Sequence, residues 1–296
     1  MQRIDTGEKM VVKHIPLEDL DENEMGCALK EVAALQQLDH PNIVKCFGSW
    51  VMAGDEDDSG RDESSRPWHR ENEKFRLPLS EAHATWADTR EHLGALSSLN
   101  ILTEYMDGGS LDKVIARNED PFDEMVVGIW LAQIILGIDQ MHRHKILHRD
   151  IKPANIFITK SGIVKIGDLG CVKMLSKPDE ECSSEYGSPL YLSPEVWRNG
   201  MCSHKSDIWA IGCVAHELLA REPPFATPEL AYKVLNNAPP PLPDSVSAPM
   251  RELIDKMLLK DHGARPSSEQ ILRMPCMAEH VGRWMKVAFA PVSDSA

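Results

Sequence analysis

The sequence predicts an α+β chain in two parts, a small β-rich part with one helix and a larger, mainly helical part. Apolar runs at residues 10–15, 43–51 and 99–106 have strand length, whereas from residue 107 onward the apolar residues recur at helical spacing. A length of 296 residues, 42% apolar and 26% charged, suits one or two ordered domains with a sizeable core.

The first strand, MVVKHI at residues 10–15, follows a turn at Thr6-Gly7. Asp21 with Glu24 three residues later has the pattern of a capping box, and Met25, Leu29, Val32, Leu35 and Leu38 then lie on one face of a helix. The runs at 43–51 and 99–106 read as strands on either side of an intrusion at about 52–97. That intrusion opens with Gly54-Asp55-Glu56-Asp57-Asp58-Ser59-Gly60, too polar to bury a core, so a flexible acidic loop is expected, with a helix over residues 79–96.

In the larger part, Asp123 is placed to cap a helix whose Val126, Val127, Trp130, Ile134, Gly137, Ile138 and Met141 form a broad apolar face. Residues 155–158, the turn Lys160-Ser161-Gly162 and residues 163–166 read as a hairpin. A helix over 206–220 is expected to stop at Pro223-Pro224; the proline run at 238–243 is rigid, and an amphipathic helix follows over 250–259. No internal repeat is visible.

Charge and cysteine usage narrow the function classes. Lys+Arg total 32 against Asp+Glu 46, a net charge of -14, which opposes an unspecific grip on nucleic acid, so any anion site must be local. The longest nearly apolar stretch, residues 126–138, contains Gln133 and falls short of the roughly 18 to 20 residues of a spanning helix. It reads as a buried helix, and no membrane partner is expected. The first ten residues lack an apolar centre and do not read as a secretory signal. Seven scattered cysteines without a CxxC pair argue against a disulfide framework or a structural zinc site, and reduced thiols in a cytoplasmic chain are expected.

The strongest chemical signal is His148-Arg149-Asp150-Ile151-Lys152-Pro153-Ala154-Asn155, followed after the hairpin by Asp168-Leu169-Gly170. Here the sequence resembles a protein kinase; a chance match of the five fixed residues is on the order of one in ten thousand. Phosphoryl transfer needs positioning and charge neutralisation more than covalent help, and carboxylate and amide oxygens are hard ligands suited to Mg²⁺. The resemblance implies ATP and Mg²⁺ as cofactors, with Asn155 and Asp168 holding the metal and Asp150 orienting the substrate hydroxyl or accepting its proton. Lys152 matches the serine/threonine-directed pattern, its ammonium near the transferred phosphoryl group. It further implies that Lys13 contacts the α and β phosphates and pairs with Glu31. Glu104 and Met106 then supply backbone groups to the adenine edge, and Phe157 the apolar floor beneath it.

Downstream, Glu195 of GSPLYLSPE is placed to pair with Arg265, and Asp207 to accept backbone donors from the catalytic loop. The wording HRDIKPANIFI, DLG, GSPLYLSPE and KSDIWAIGC is similar to the NIMA-related (Nek) serine/threonine kinases, from about Thr6 to Met274 apart from the 52–97 insertion. That likeness implies a two-lobed kinase fold: an incomplete N-lobe at 1–106, a C-lobe at 107–277, a short C-terminal tail at 278–296, and ATP between the lobes. It implies protein substrates with Ser/Thr acceptors and Ser184 as a regulatory phosphorylation site, while the acidic run in the 52–97 insertion, outside the likeness, is read as a docking place for a cytoskeletal or activating partner. One departure stands out: no GxGxxG precedes Lys13, so the small lobe is expected to be truncated, without its glycine-rich loop. The alternative to an active enzyme is therefore a catalytically impaired kinase-like binding or scaffold protein.

Overall fold

The computed structural model describes residues 7–17, 20–53, 96–177, 180–183 and 187–288. Most of the 52–97 insertion, the helix expected over 79–96, and Ser184 lie outside the described residues. The chain divides into two compact units, Met1–Asp39 with Lys45–Tyr105, and His40–Val44 with Met106–Ala296.

The first unit contains β1 (Met10–Pro16), α1 (Glu22–Gln37), β2 (Cys46–Ala53) and β3 (Leu96–Glu104). The strands form an antiparallel sheet in the order β1-β3-β2, with Lys13 opposite Ile101 and His14 opposite Asn100. Central β3 is buried on both faces through Ser98, Leu99, Asn100 and Ile101. Asn100 Oδ1 lies 2.9 Å from the His14 ring nitrogen Nδ1. The capping box at α1 is present: Glu24 N–H donates to Asp21 Oδ1 at 2.9 Å and Asp21 N–H to Glu24 Oε2 at 3.0 Å. Met25, Val32, Leu35 and Leu38 of its apolar face are buried and Leu29 is half-buried. Two strand boundaries differ from expectation. β2 begins at Cys46 rather than residue 43, because Ile43 and Val44 belong to the second unit: Ile43 bridges Ile166, and Val44 N–H donates to Ile166 O at 2.8 Å. β3 runs from Leu96 to Glu104 because pairing with β1 and β2 extends its start and leaves Tyr105 exposed.

The second unit begins with β4 (Gly109–Ser110), α2 (Leu111–Arg117) and α3 (Glu124–Arg143). Asp123 caps α3, accepting from Met125 N–H at 2.9 Å. Val127, Trp130, Ile134, Ile138 and Met141 are buried, but Val126 is exposed, so the core-facing stripe begins one residue later than expected. Gln133 does not interrupt this helix; it organises it. Its Oε1 accepts from Asn42 Nδ2 at 3.0 Å and from Val164 N–H at 2.8 Å, so a fully buried amide is satisfied. With 20 residues, α3 is long and apolar enough to cross a membrane by length and composition, yet most of it is buried. It is a core helix.

After α3 come β5 (Ile146–Leu147), β6 (Ile156–Ile158), β7 (Val164–Ile166), β8 (Lys173–Met174) and β9 (Cys182–Ser183). The expected hairpin is β6–β7, and β5 pairs with β8. Next are α4 (Pro194–Asn199), β10 (Met201–Cys202), α5 (His204–Ala220), α6 (Leu230–Asn236), α7 (Ala248–Met257), α8 (Ser268–Leu272) and α9 (Pro275–Ala288). α5 starts with a capping box between Ser203 and Ser206. It ends before the prolines: Arg221 takes a left-handed conformation (φ 70) and donates its N–H to Glu217 O at 2.8 Å, so Pro223-Pro224 follow a completed cap. The region read as a C-terminal tail from residue 278 is helical to Ala288.

Candidate active site

In the first unit, β1 presents Lys13 to Glu31 of α1. Lys13 Nζ lies 2.9 and 2.8 Å from the two Glu31 oxygens; Glu31 is buried while Lys13 is largely exposed. At the end of β3, Glu104 Oε1 accepts from Lys45 N–H at 2.6 Å, and Glu104 N–H donates to Lys45 O at 3.0 Å, so this residue ties the end of β3 to the residue just before β2.

The second unit gathers the other expected groups around the loop that leaves β5. Asp207 of α5, almost fully buried, anchors that loop by accepting from His148 N–H at 3.1 Å, Arg149 N–H at 2.9 Å and His142 Nε2 at 2.9 Å. Burial alone would raise its pKa; the donors, His142 foremost, outweigh burial and hold the carboxyl below the usual range. Arg149 sits in the left-handed region (φ 66), a conformation a non-glycine residue keeps only when its surroundings enforce it. Here the enforcement comes from Asp207 on its N–H and from the carbonyls of Cys171 and Val172, which accept from its guanidinium at 2.6 and 3.3 Å.

His148 is fully buried, and burial pushes its pKa below the ordinary value, against the opposing pull of Asp207. A neutral ring fits both of its contacts. Nδ1 accepts from Asp150 N–H at 3.3 Å, and Nε2–H donates to Gly167 O at 3.2 Å. One imidazole thus sets the backbone on both sides of the site.

Asp150 is the centre of the cluster. Its Oδ2 accepts from Asn155 Nδ2 at 2.9 Å and lies 2.7 Å from Lys152 Nζ, and its Oδ1 accepts from Ser188 Oγ at 2.9 Å. Lys152 Nζ also donates to Ser188 Oγ at 2.8 Å. Asn155 Nδ2 further donates to Asp150 O at 2.8 Å, so its nitrogen is committed to Asp150 and its Oδ1 is the atom left for a hard cation. Gly167 N–H donates to Asn155 O at 3.0 Å, which joins Asn155 to the segment carrying Asp168. Asp168 itself is left-handed (φ 54, ψ 73), a strained setting of the kind found at functional sites. Among the described residues no group of three or more His, Cys, Asp or Glu side chains is arranged to hold a metal. A pair of one amide and one carboxylate oxygen still suits Mg²⁺, which keeps several waters and takes the rest of its shell from phosphate oxygens.

Phe157 of β6 is half-buried and lies against Gly167, where an added Cβ would meet the ring at 2.8 Å. Met106 is buried, its carbonyl accepting from Gly109 N–H at 3.1 Å. The segment 187–195 is pinned at its far end by the expected pair: Arg265 donates to both Glu195 oxygens at 2.8 and 3.0 Å, with the guanidinium fully buried. Burial would raise the Glu195 pKa, but Arg265 wins and holds it down. The contact of Ser188 with Asp150 and Lys152 was not foreseen from sequence. Its one hint was the Gly187-Ser188-Pro189 wording; Gly187 (φ 118) lets the segment pass where a Cβ would sit 3.0 Å from Arg149 O.

The second unit thus places a carboxylate, an amide and an ammonium on one anchored loop, with a second acid after the hairpin. The protein kinase domain matches residues 71–277, and the chain belongs to the protein kinase family. It is 28% identical over 293 residues to serine/threonine-protein kinase Nek4 of Mus musculus, covering 98% of this chain and 32% of the relative. It is 37% identical over 187 residues to serine/threonine-protein kinase Nek3 of Mus musculus, covering 62% and 37%. The cytokinesis protein sepH of Emericella nidulans is 32% identical over 274 residues, covering 91% and 17%. The NIMA-related likeness read from the motifs is thereby supported, and similarity also extends beyond that group. The chain spans between 17% and 37% of the length of these relatives.

Proposed function

We propose that this chain is a serine/threonine protein kinase that transfers the γ-phosphoryl group of ATP to Ser or Thr hydroxyls of protein substrates. The observation that carries the reading is the Asp150 cluster, in which Asn155 and Lys152 fix one carboxylate oxygen and the Ser188 hydroxyl occupies the other. A hydroxyl already donating to Asp150 Oδ1 marks the place where an acceptor hydroxyl would be oriented and relieved of its proton. Lys152, 2.8 Å from that same hydroxyl, stands where charge builds on the transferred group. Asn155 Oδ1 and the Asp168 carboxylate would hold Mg²⁺, which when bound neutralises charge on the phosphates. Lys13, oriented by Glu31, takes the role of contacting the α and β phosphates, and Glu104, Met106 and Phe157 that of receiving the adenine.

Transfer of labelled phosphate from Mg·ATP to casein tests the reading. The wild-type chain labels casein; Asp150→Asn lowers the rate by about 100-fold or more, and Asp168→Ala abolishes it. Binding of Mg·ATP without any transfer, by a chain whose fold is intact, would overturn the enzyme reading. It would favour the scaffold alternative.

The domain division at 106/107 and 277/278 belongs to the same proposal. So does phosphorylation of Ser184, whose added charge would be drawn toward the Arg149 guanidinium. Ser184→Ala then lowers the activity of the full-length protein. The proposal extends to a partner bound through residues 52–97 and to a cytoplasmic, cytoskeleton-associated setting, for which the naming of sepH as a cytokinesis protein is the only support. Imaging of the tagged chain with and without residues 54–95 checks it.

A further inference from the structure

Two buried thiols lie beside the candidate active site without taking part in it. Cys182 of β9 and Cys202 of β10 are direct partners in an antiparallel pair, and their sulfur atoms are 3.0 Å apart. Directly opposed residues in such a pair have Cα atoms about 4.5 to 5.5 Å apart, within the span of a disulfide. Both are buried, in a small cluster with Leu147 and Leu175 against which Val196 packs. The hydrogen bond with Cys202 has the largest influence on Cys182 and brings its pKa down to about 7 against the cost of burial. Arg149 and Lys173 favour the same thiolate, while Asp207 opposes it. Cys202 is correspondingly pushed up, first by its bond to Cys182 and then by burial. One sulfur is prepared as a nucleophile and its neighbour holds the shared proton.

We propose that Cys182 and Cys202 form a redox-active dithiol that hydrogen peroxide closes into a disulfide. The Cys182 thiolate attacks one peroxide oxygen: an S–O bond forms, the O–O bond breaks, and the departing hydroxide takes up a proton to become water. The Cys202 sulfur then attacks the sulfenic sulfur; the S–S bond forms, the S–O bond breaks, and hydroxide leaves with the Cys202 proton as a second water. Two thiols are oxidised and one peroxide is reduced to two waters. The closed loop encloses residues 183–201, and with them both Ser188, which touches Asp150, and Glu195, which is held by Arg265. Oxidation therefore ties together the two ends of the segment that borders the catalytic carboxylate.

The test uses the full chain treated with hydrogen peroxide, blocked with N-ethylmaleimide and digested without reductant. Mass spectrometry is expected to find a peptide joining 182 to 202 that dithiothreitol separates. The thermal midpoint should rise by about 5 °C on oxidation and fall back on reduction. Cys202→Ser should show neither effect and should accumulate dimedone-reactive sulfenic acid at Cys182. If Cys182 and Cys202 are both recovered as maleimide adducts while other cysteines oxidise, or if crosslinks join other pairs, the proposal is overturned. The covalent map does not depend on phosphoryl transfer, so its failure is separable from failure of the kinase reading.

Discussion

A neutral imidazole at position 148 and an ionised carboxylate at position 207 hold the backbone of the candidate site in place. Asp207 accepts two main-chain N–H groups and a histidine, so Asp207→Asn puts an amide nitrogen against donors. The loss expected in urea denaturation is about 3 kcal/mol. His148 has a folded pKa below its ordinary 6.5, because burial penalises the cation. As pH falls, the unfolded chain takes the proton first. The stability contributed by the neutral ring is therefore present above about 6.5 and is lost as pH falls toward the folded value. Thermal midpoints measured at pH 7.5 and 5.5 should fall with pH, and the drop should be smaller in His148→Gln. It should not vanish, because His280 is also held down by burial. The role of Asp207 was legible in the sequence, since an acid inside an apolar helix must find donors. That of Ser188 was not, since it depends on a contact with a residue 38 positions away.

Among the elements, α3 shows how a periodic pattern and its packing diverge. The spacing placed both Val126 and Val127 on the apolar face, but only Val127 meets the core, while Gln133 became the buried joint to Asn42 and Val164. Gly137 allows the close approach behind that joint: an added Cβ would lie 2.7 Å from Asn42 O and 2.9 Å from Ile166 Cδ1. Gly137→Ala should cost about 1 to 3 kcal/mol in a denaturant melt, with the secondary structure seen by circular dichroism preserved. At the other anchor, Glu195→Gln leaves the fully buried Arg265 guanidinium without its countercharge and should cost about 3 to 5 kcal/mol. Adding Arg265→Met should restore part of that loss, which a double-mutant cycle measures. α5 ends at Ala220, as its pattern predicts, with a left-handed Arg221 completing the cap before the prolines are reached.

For the molecule as a whole, the charge of -14 determines what approaches it at long range. The chain should pass through heparin resin unretained at about 100 mM salt; retention there would reveal a basic face that the net charge conceals. The two units carry separate parts of the expected machinery, with Lys13 and Glu31 in one and Asp150, Lys152, Asn155 and Asp168 in the other. Motif wording exposed this inventory because phosphoryl transfer tolerates few substitutes for those residue types.

By itself the sequence determined the chemistry available to this protein, the helix caps, and which faces of its helices and strands are apolar, since those depend on residue type and local spacing. Only the tertiary structure decided which groups meet: Ser188 on Asp150, Gln133 on Asn42, Cys182 against Cys202, and Ile43 with Ile166 rather than in β2. Local periodicity states that a face will be buried, but the partner of each buried polar group is chosen by how distant segments pack and satisfy one another's donors and acceptors.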